Sequence, residues 1–141
     1  MKPGEQHFQT LYELIPGVTG IFGAGMEHAL AYALSCQHAV MHVEPGGRIR
    51  VWPVSQAPEL PELQELVGGY IEAMHMPNLG GPYDSGFLGY ANADGLDVLP
   101  HNITADLITG YEPLCGPVVI LVGFRVDENG HDALFPVPKK P

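Results

Sequence analysis

The chain has 141 residues, with 16 acidic against 6 basic side chains and a formal charge of −10 with histidine neutral. A chain of this length buries a core without metal or disulfide staples, and it reads as a single domain. The acidic balance disfavours nucleic acid and anionic membranes as partners, because both repel a negative surface.

Met1-Lys2-Pro3-Gly4-Glu5 opens no apolar signal core, and the longest apolar run, Pro117 to Phe124, is too short to cross a bilayer. Cys36 and Cys115 are too few for a disulfide framework. They read as free thiols in a reducing cytoplasm.

In chain order, Phe8, Leu11, Tyr12, Leu14 and Ile15 recur at near-helical spacing, so residues 5–15 predict an amphipathic helix that Pro16-Gly17 ends. The glycines from Gly17 to Gly25 run G-x-x-G-x-G at their end, which is neither a dinucleotide fingerprint nor a phosphate loop, and they read as a connector. Met26 to Cys36 predicts a second helix. The runs 39–44 and 48–54 flank Pro45-Gly46-Gly47 and predict a hairpin. Its second arm places Arg48, Arg50 and Trp52 on one face, which reads as arginines lying over an indole rather than as a stacking platform.

Pro58 to Val67 predicts a helix that buries Leu60, Leu63, Leu66 and Val67 and is stopped by Gly68-Gly69. Tyr70 to Met76 alternates as a strand, with Tyr70, Glu72, Met74 and Met76 on one face. A carboxylate on an apolar face needs a partner or a ligand. Phe87 to Ala91, the turn Asn92-Ala93-Asp94-Gly95 and Leu96 to Leu99 predict another hairpin. Asn102 or Thr104 caps a short helix over 103–109, and Gly110 ends it. Asn102-Ile103-Thr104 also matches a glycosylation sequon, which matters only in a secreted eukaryotic protein. Pro117 to Arg125 predicts the central strand, 127–130 a turn, and 133–137 a short edge strand. The expected architecture is a single α+β domain with a mixed or mainly antiparallel sheet and helices on one side. Its parts are a helical extension (1–38), a core (39–138) and a frayed tail (139–141).

The candidate site is Glu72, Asn92 and Asn102, with Tyr70 and Tyr90 as apolar walls. Each amide has an ordinary alternative role, Asn92 as turn former and Asn102 as helix cap. Among seven histidines, His38 and His42 are four apart and share a face, which makes them weak metal-ligand candidates. H-E-x-x-H and C-x-x-C are both lacking, so no cofactor or metal is expected. One carboxylate and two amides suffice to orient a substrate, but no second proton-transfer group accompanies them.

Leu63-Gln64-Glu65-Leu66-Val67-Gly68-Gly69-Tyr70-Ile71-Glu72, Asn92-Ala93-Asp94-Gly95-Leu96, Leu99-Pro100-His101-Asn102 and Gly116-Pro117-Val118-Val119-Ile120-Leu121-Val122-Gly123 carry a family resemblance. With Glu44-Pro45-Gly46 ahead of them, residues 40–126 resemble an uncharacterised family of bacteria and their phages, domain of unknown function 3846. The resemblance implies a small α+β module encoded on bacterial or mobile genomes, and it transfers no catalytic residue. The first 38 residues depart from it. The expectation is a non-catalytic binding module in the cytoplasm of a bacterial host. It would act against a host process by sequestering a small polar ligand, such as a nucleotide signal, or by inhibiting a host protein. The alternatives are a small acid/base or metal-assisted hydrolase using Glu72 or the histidines, and a homo-oligomeric accessory protein.

Overall fold

A computed structural model describes residues 2–9, 24–74, 76, 86–110, 113–125 and 137–138. In chain order the elements are β1 (Gln6–Gln9), α1 (Ala24–Ser35), β2 (Ala39–Val43), β3 (Arg48–Pro53), α2 (Leu60–Val67), β4 (Ile71–Met74), β5 (Phe87–Asn92), α3 (Ile103–Thr109), β6 (Val118–Val122), β7 (Phe124–Arg125) and β8 (Val137–Pro138). Six strands form one sheet in the order β1-β3-β2-β6-β5-β4, and every neighbouring pair is antiparallel. β7 and β8 form a small separate ribbon. The domain is α+β.

β2 and β6 lie side by side at the centre and are buried along their whole length. Val-Val-Ile-Leu-Val can sit there because both of its faces are covered; a strand with one wet face would alternate. Met41, Val43, Val118 and Ile120 pack on one face with Ala29 and Ala33 of α1 and Ala105 and Ile108 of α3. Val40, Trp52, Tyr90, Val119 and Leu121 pack on the other with Leu63 and Val67 of α2. The expectation of helices on one side is therefore corrected: α1 and α3 cover one face, and α2 covers the other. Each fully buried Val, Leu or Ile contributes roughly 1.5–3 kcal/mol to folding, so neither cover is dispensable.

Two local expectations also change. The segment predicted as helical over 5–15 contains a strand at Gln6–Gln9 that pairs with β3. Phe8 points into the α1-side core, its ring 6.3 Å from that of Tyr32. The backbone pairs here because the outer edge of β3 offers unpaired groups, and that outweighs a helical pattern carried mostly by residues further on. The predicted arm Leu96 to Leu99 is not a strand. After Asn92 the chain coils through turns held by Val98 N–H and Leu99 N–H on the Gly95 carbonyl, and Leu96 and Val98 stay exposed. Residues 10–15 of the expected first helix, the expected connector over 17–23, His75, the loop around 77–85, the turn at 127–130, residues 133–136 of the edge strand and the tail at 139–141 fall outside the described residues.

Candidate functional site

β4 is the edge strand beside β5, with Glu72 opposite Ala91 and Ile71 opposite Asn92. Side chains directly opposite in a ladder share a face. Ala91 belongs to the α1-side core, so Glu72 projects at the rim of that face, exposed and with no hydrogen bond or ion pair among the described residues. It opens on a pocket of about 250 Å³. One wall is Glu72, Met74, Ala91, Asn92 and Ala93; the other is Leu96, Pro113, Leu114 and Cys115. Glu72 is the one charged residue among those that line it.

The two amides do different work. Asn92 closes its turn by accepting the Asp94 N–H on Oδ1 at 2.9 Å, and its Nδ2 donates to the Val67 carbonyl at the end of α2 at 3.1 Å. Asn92 thus lines the pocket while its amide is held by backbone. Asn102 is fully buried. Its Oδ1 caps α3 by accepting the Ala105 N–H at 3.0 Å, and its Nδ2 donates to the carbonyls of Val43 and Gly116, each at 2.9 Å. Tyr90 is buried in the α2-side core, and Tyr70 is 72% exposed. Of the five candidate residues, Glu72 and Asn92 both line the pocket, but Asn92 lies opposite Ile71 and turns its amide to Val67 on the α2 side, away from the face that carries Glu72. Asn102, Tyr70 and Tyr90 do not line it.

The two candidate metal-ligand histidines, His38 and His42, have structural partners. His38 stacks against Phe124, with ring centroids 4.9 Å apart. His42 is buried on β2, its Nε2 2.8 Å from the Leu66 carbonyl and its Nδ1 2.7 Å from an Arg50 guanidinium nitrogen. A carbonyl only accepts and a guanidinium only donates, so Nε2 carries the proton and Nδ1 accepts a hydrogen bond from Arg50. Burial lowers the His42 pKa below its ordinary value, reinforced by the charge of Arg50. Both nitrogens are engaged. Among the described residues no group of three or more histidine, cysteine or acidic side chains converges as a metal site. Arg50 in turn lies over Trp52, 5.6 Å from the ring centroid, as does Lys2 at 5.3 Å. Trp52 is 2% exposed, so the indole face is covered by cations rather than open for stacking.

Sequence reasoning missed a cluster behind the pocket. His101 Nε2 hydrogen-bonds Asp106 Oδ2, and Asp106 Oδ1 accepts the Leu114 N–H at 2.8 Å. His101 also pairs with Cys115 in an antiparallel bridge, flanked by Asn102 N–H to the Leu114 carbonyl and Gly116 N–H to the Pro100 carbonyl, both at 2.7 Å. Nothing periodic links positions 101, 106 and 115. The only signal in the sequence is Asp106 on the inner side of a helix whose other buried positions are small or apolar.

The sequence matches a domain of unknown function (DUF3846) over residues 37–136. The chain belongs to that family. No curated protein and no solved structure matches it. Among the described residues no helix is long and apolar enough to cross a membrane.

Proposed function

We propose that the domain is a binding module that holds a small polar ligand in the pocket between the β4–β5 edge and residues 113–115. One observation carries this reading: the Glu72 carboxylate, without a partner among the described residues, lines a pocket of mixed polar and apolar surface that holds no other charged side chain among the described residues. Ligand sites are commonly apolar clefts with a few orienting polar groups. A carboxylate only accepts hydrogen bonds, so it selects amines, amides or hydroxyls. Among the described residues the lining supplies no cation to meet a phosphate, which favours a donor-bearing ligand over a nucleotide. A volume of about 250 Å³ suits a molecule smaller than a typical drug. Native mass spectrometry of protein isolated from bacteria tests the reading. The expected result is a retained small molecule in the wild type and its loss in Glu72→Gln with an unchanged melting temperature. A wild-type protein that retains nothing and shows no thermal shift with amine or hydroxyl compounds overturns it.

A second reading is supported by four large apolar side chains left exposed within residues 96–107: Leu96, Val98, Ile103 and Leu107. Exposed apolar side chains of this kind fit a protein partner, including a second copy of the chain. Sedimentation velocity decides for the second copy: Val98→Glu should dissolve any dimer, and a concentration-independent monomer excludes it.

A further inference from the structure

We propose that Cys115 is a nucleophilic thiol of this pocket, served by His101 as its base with Asp106 as the positioning residue, and that it captures small electrophiles carrying an activated alkene and an N–H or O–H donor. The proposal deepens the binding reading above and relies on it for where the ligand sits.

The bridge geometry is the first argument. The two backbone bonds that flank His101 and Cys115 run from residue 102 to 114 and from 116 to 100. That makes 101 and 115 a non-hydrogen-bonded pair, the antiparallel position in which facing residues approach closest, with Cα atoms about 4.5 Å apart. The imidazole is the second argument. A carboxylate cannot donate, so the Nε2 hydrogen is committed to Asp106, and Nδ1 is the nitrogen left to take a proton. Asp106 is itself fixed, 7% exposed and tied through its other oxygen to the Leu114 N–H, one residue from the thiol. His101 thus faces Cys115 across the bridge and is held by Asp106, with no hydrogen bond yet joining imidazole and thiol, and Cys115 lines the pocket that Glu72 opens.

The surroundings bear on which reaction this supports. Acyl transfer with turnover passes through oxyanions that need converging N–H donors. The N–H groups on either side of Cys115 are already spent, Leu114 on Asp106 and Gly116 on Pro100, and the Asn92 amide donates to Val67. Conjugate addition asks less. The thiol proton passes to His101 Nδ1. A sulfur–carbon bond forms at the alkene β-carbon as the π pair moves toward the α-carbon and carbonyl oxygen, and His101 returns the proton to the α-carbon. Nothing leaves and nothing is oxidised, so the product is a stoichiometric adduct, as befits a binder.

Acrylamide, small, neutral and bearing an NH₂ donor for Glu72, is the probe. Cys36, also partly buried, is the control within the same chain. Alkylation of each cysteine is followed by peptide mass spectrometry across pH. Cys115 is expected to react at least about tenfold faster than Cys36 near neutral pH, with His101→Gln removing that advantage. Asp106→Asn should change the shape of the Cys115 pH–rate profile while the Cys36 profile stays put. Equal rates at the two cysteines in the wild type, a comparison that needs no variant to fold, overturn the proposal and leave the pocket reading intact. A fast Cys115 whose rate is indifferent to Glu72→Gln supports the nucleophile and counts against Glu72 as the pocket's recognition group.

Discussion

Asn102 Nδ2 donates to the Val43 carbonyl at 2.9 Å, joining the start of α3 to a strand 59 positions earlier. With Gly116 as its second acceptor and Ala105 as its donor, this one amide pins three segments at a fully buried point. Loss of a helix cap alone costs about 1 kcal/mol, and each buried group left unpaired adds roughly 1–3 kcal/mol. Asn102→Ala is therefore expected to destabilise by about 3 kcal/mol in urea unfolding. Asn102→Asp should be no milder: it keeps the cap but turns an oxygen toward two carbonyls.

The buried His42 makes stability depend on pH. Its pKa is lowered on folding from the ordinary 6.5, first by burial and then by Arg50. Between the two pKa values the unfolded chain binds the proton and the folded chain does not, so stability is complete above about 6.5 and falls as pH drops toward the folded pKa, flattening below it. One such group changes stability by at most about 1.4 kcal/mol per pH unit. Denaturation midpoints measured through this window should lose part of their slope in His42→Gln.

Two glycines that look equivalent should respond differently to alanine. A Cβ at Gly123 would lie 2.1 Å from the Gln37 carbonyl oxygen, and its φ is +87°. At Gly89 the close atoms are Met76 Sδ and Met74 Cε, the far ends of flexible side chains. Gly123→Ala is expected to cost about 3 kcal/mol or more and Gly89→Ala about 1 kcal/mol, because backbone cannot step aside and methionine can. Thermal melts of both variants check the ranking.

Gly69 and Asn92 should be coupled. A Cβ at Gly69 would sit 2.9 Å from Asn92 Nδ2, a nitrogen held in place by Val67. Asn92→Ala loses the turn bond and the Val67 bond, at about 1–2 kcal/mol. In that background Gly69→Ala should be nearly free, whereas alone it costs about 1 kcal/mol or more, a non-additivity that a double-mutant cycle reads directly.

Where information is local, the sequence carried it. Asn102 as a cap, Gly68 and Gly110 as left-handed helix ends, and the turn between β2 and β3 follow from residue chemistry within a few positions. What it could not carry is what distant segments do to one another. Gln6-His7-Phe8-Gln9 has little strand character until the edge of β3 recruits it. Leu96 and Val98 alternate like a strand but find no strand to pair with among the described residues. The same holds for the site. Glu72 was legible as a carboxylate on an apolar strand face, and Asn92 as the first residue of its turn; that the two fall on opposite faces of the sheet was not. That Asn102 spends its amide on Val43 and Gly116, that Tyr90 faces the other core, and that His101 meets Cys115 are matters of tertiary placement.

The central position of β6 has a consequence for how the protein is made. β2, at 39–43, has β6, at 118–122, as its partner on one side. During synthesis the first hairpin leaves the ribosome long before that partner exists, with an apolar strand edge unsatisfied on both faces and along its backbone. Domains dominated by such late, non-local pairings fold slowly, on the order of milliseconds to seconds, and partly built intermediates of this kind are prone to aggregate. Nascent chains stalled before residue 118 should accordingly bind chaperones that full-length chains escape.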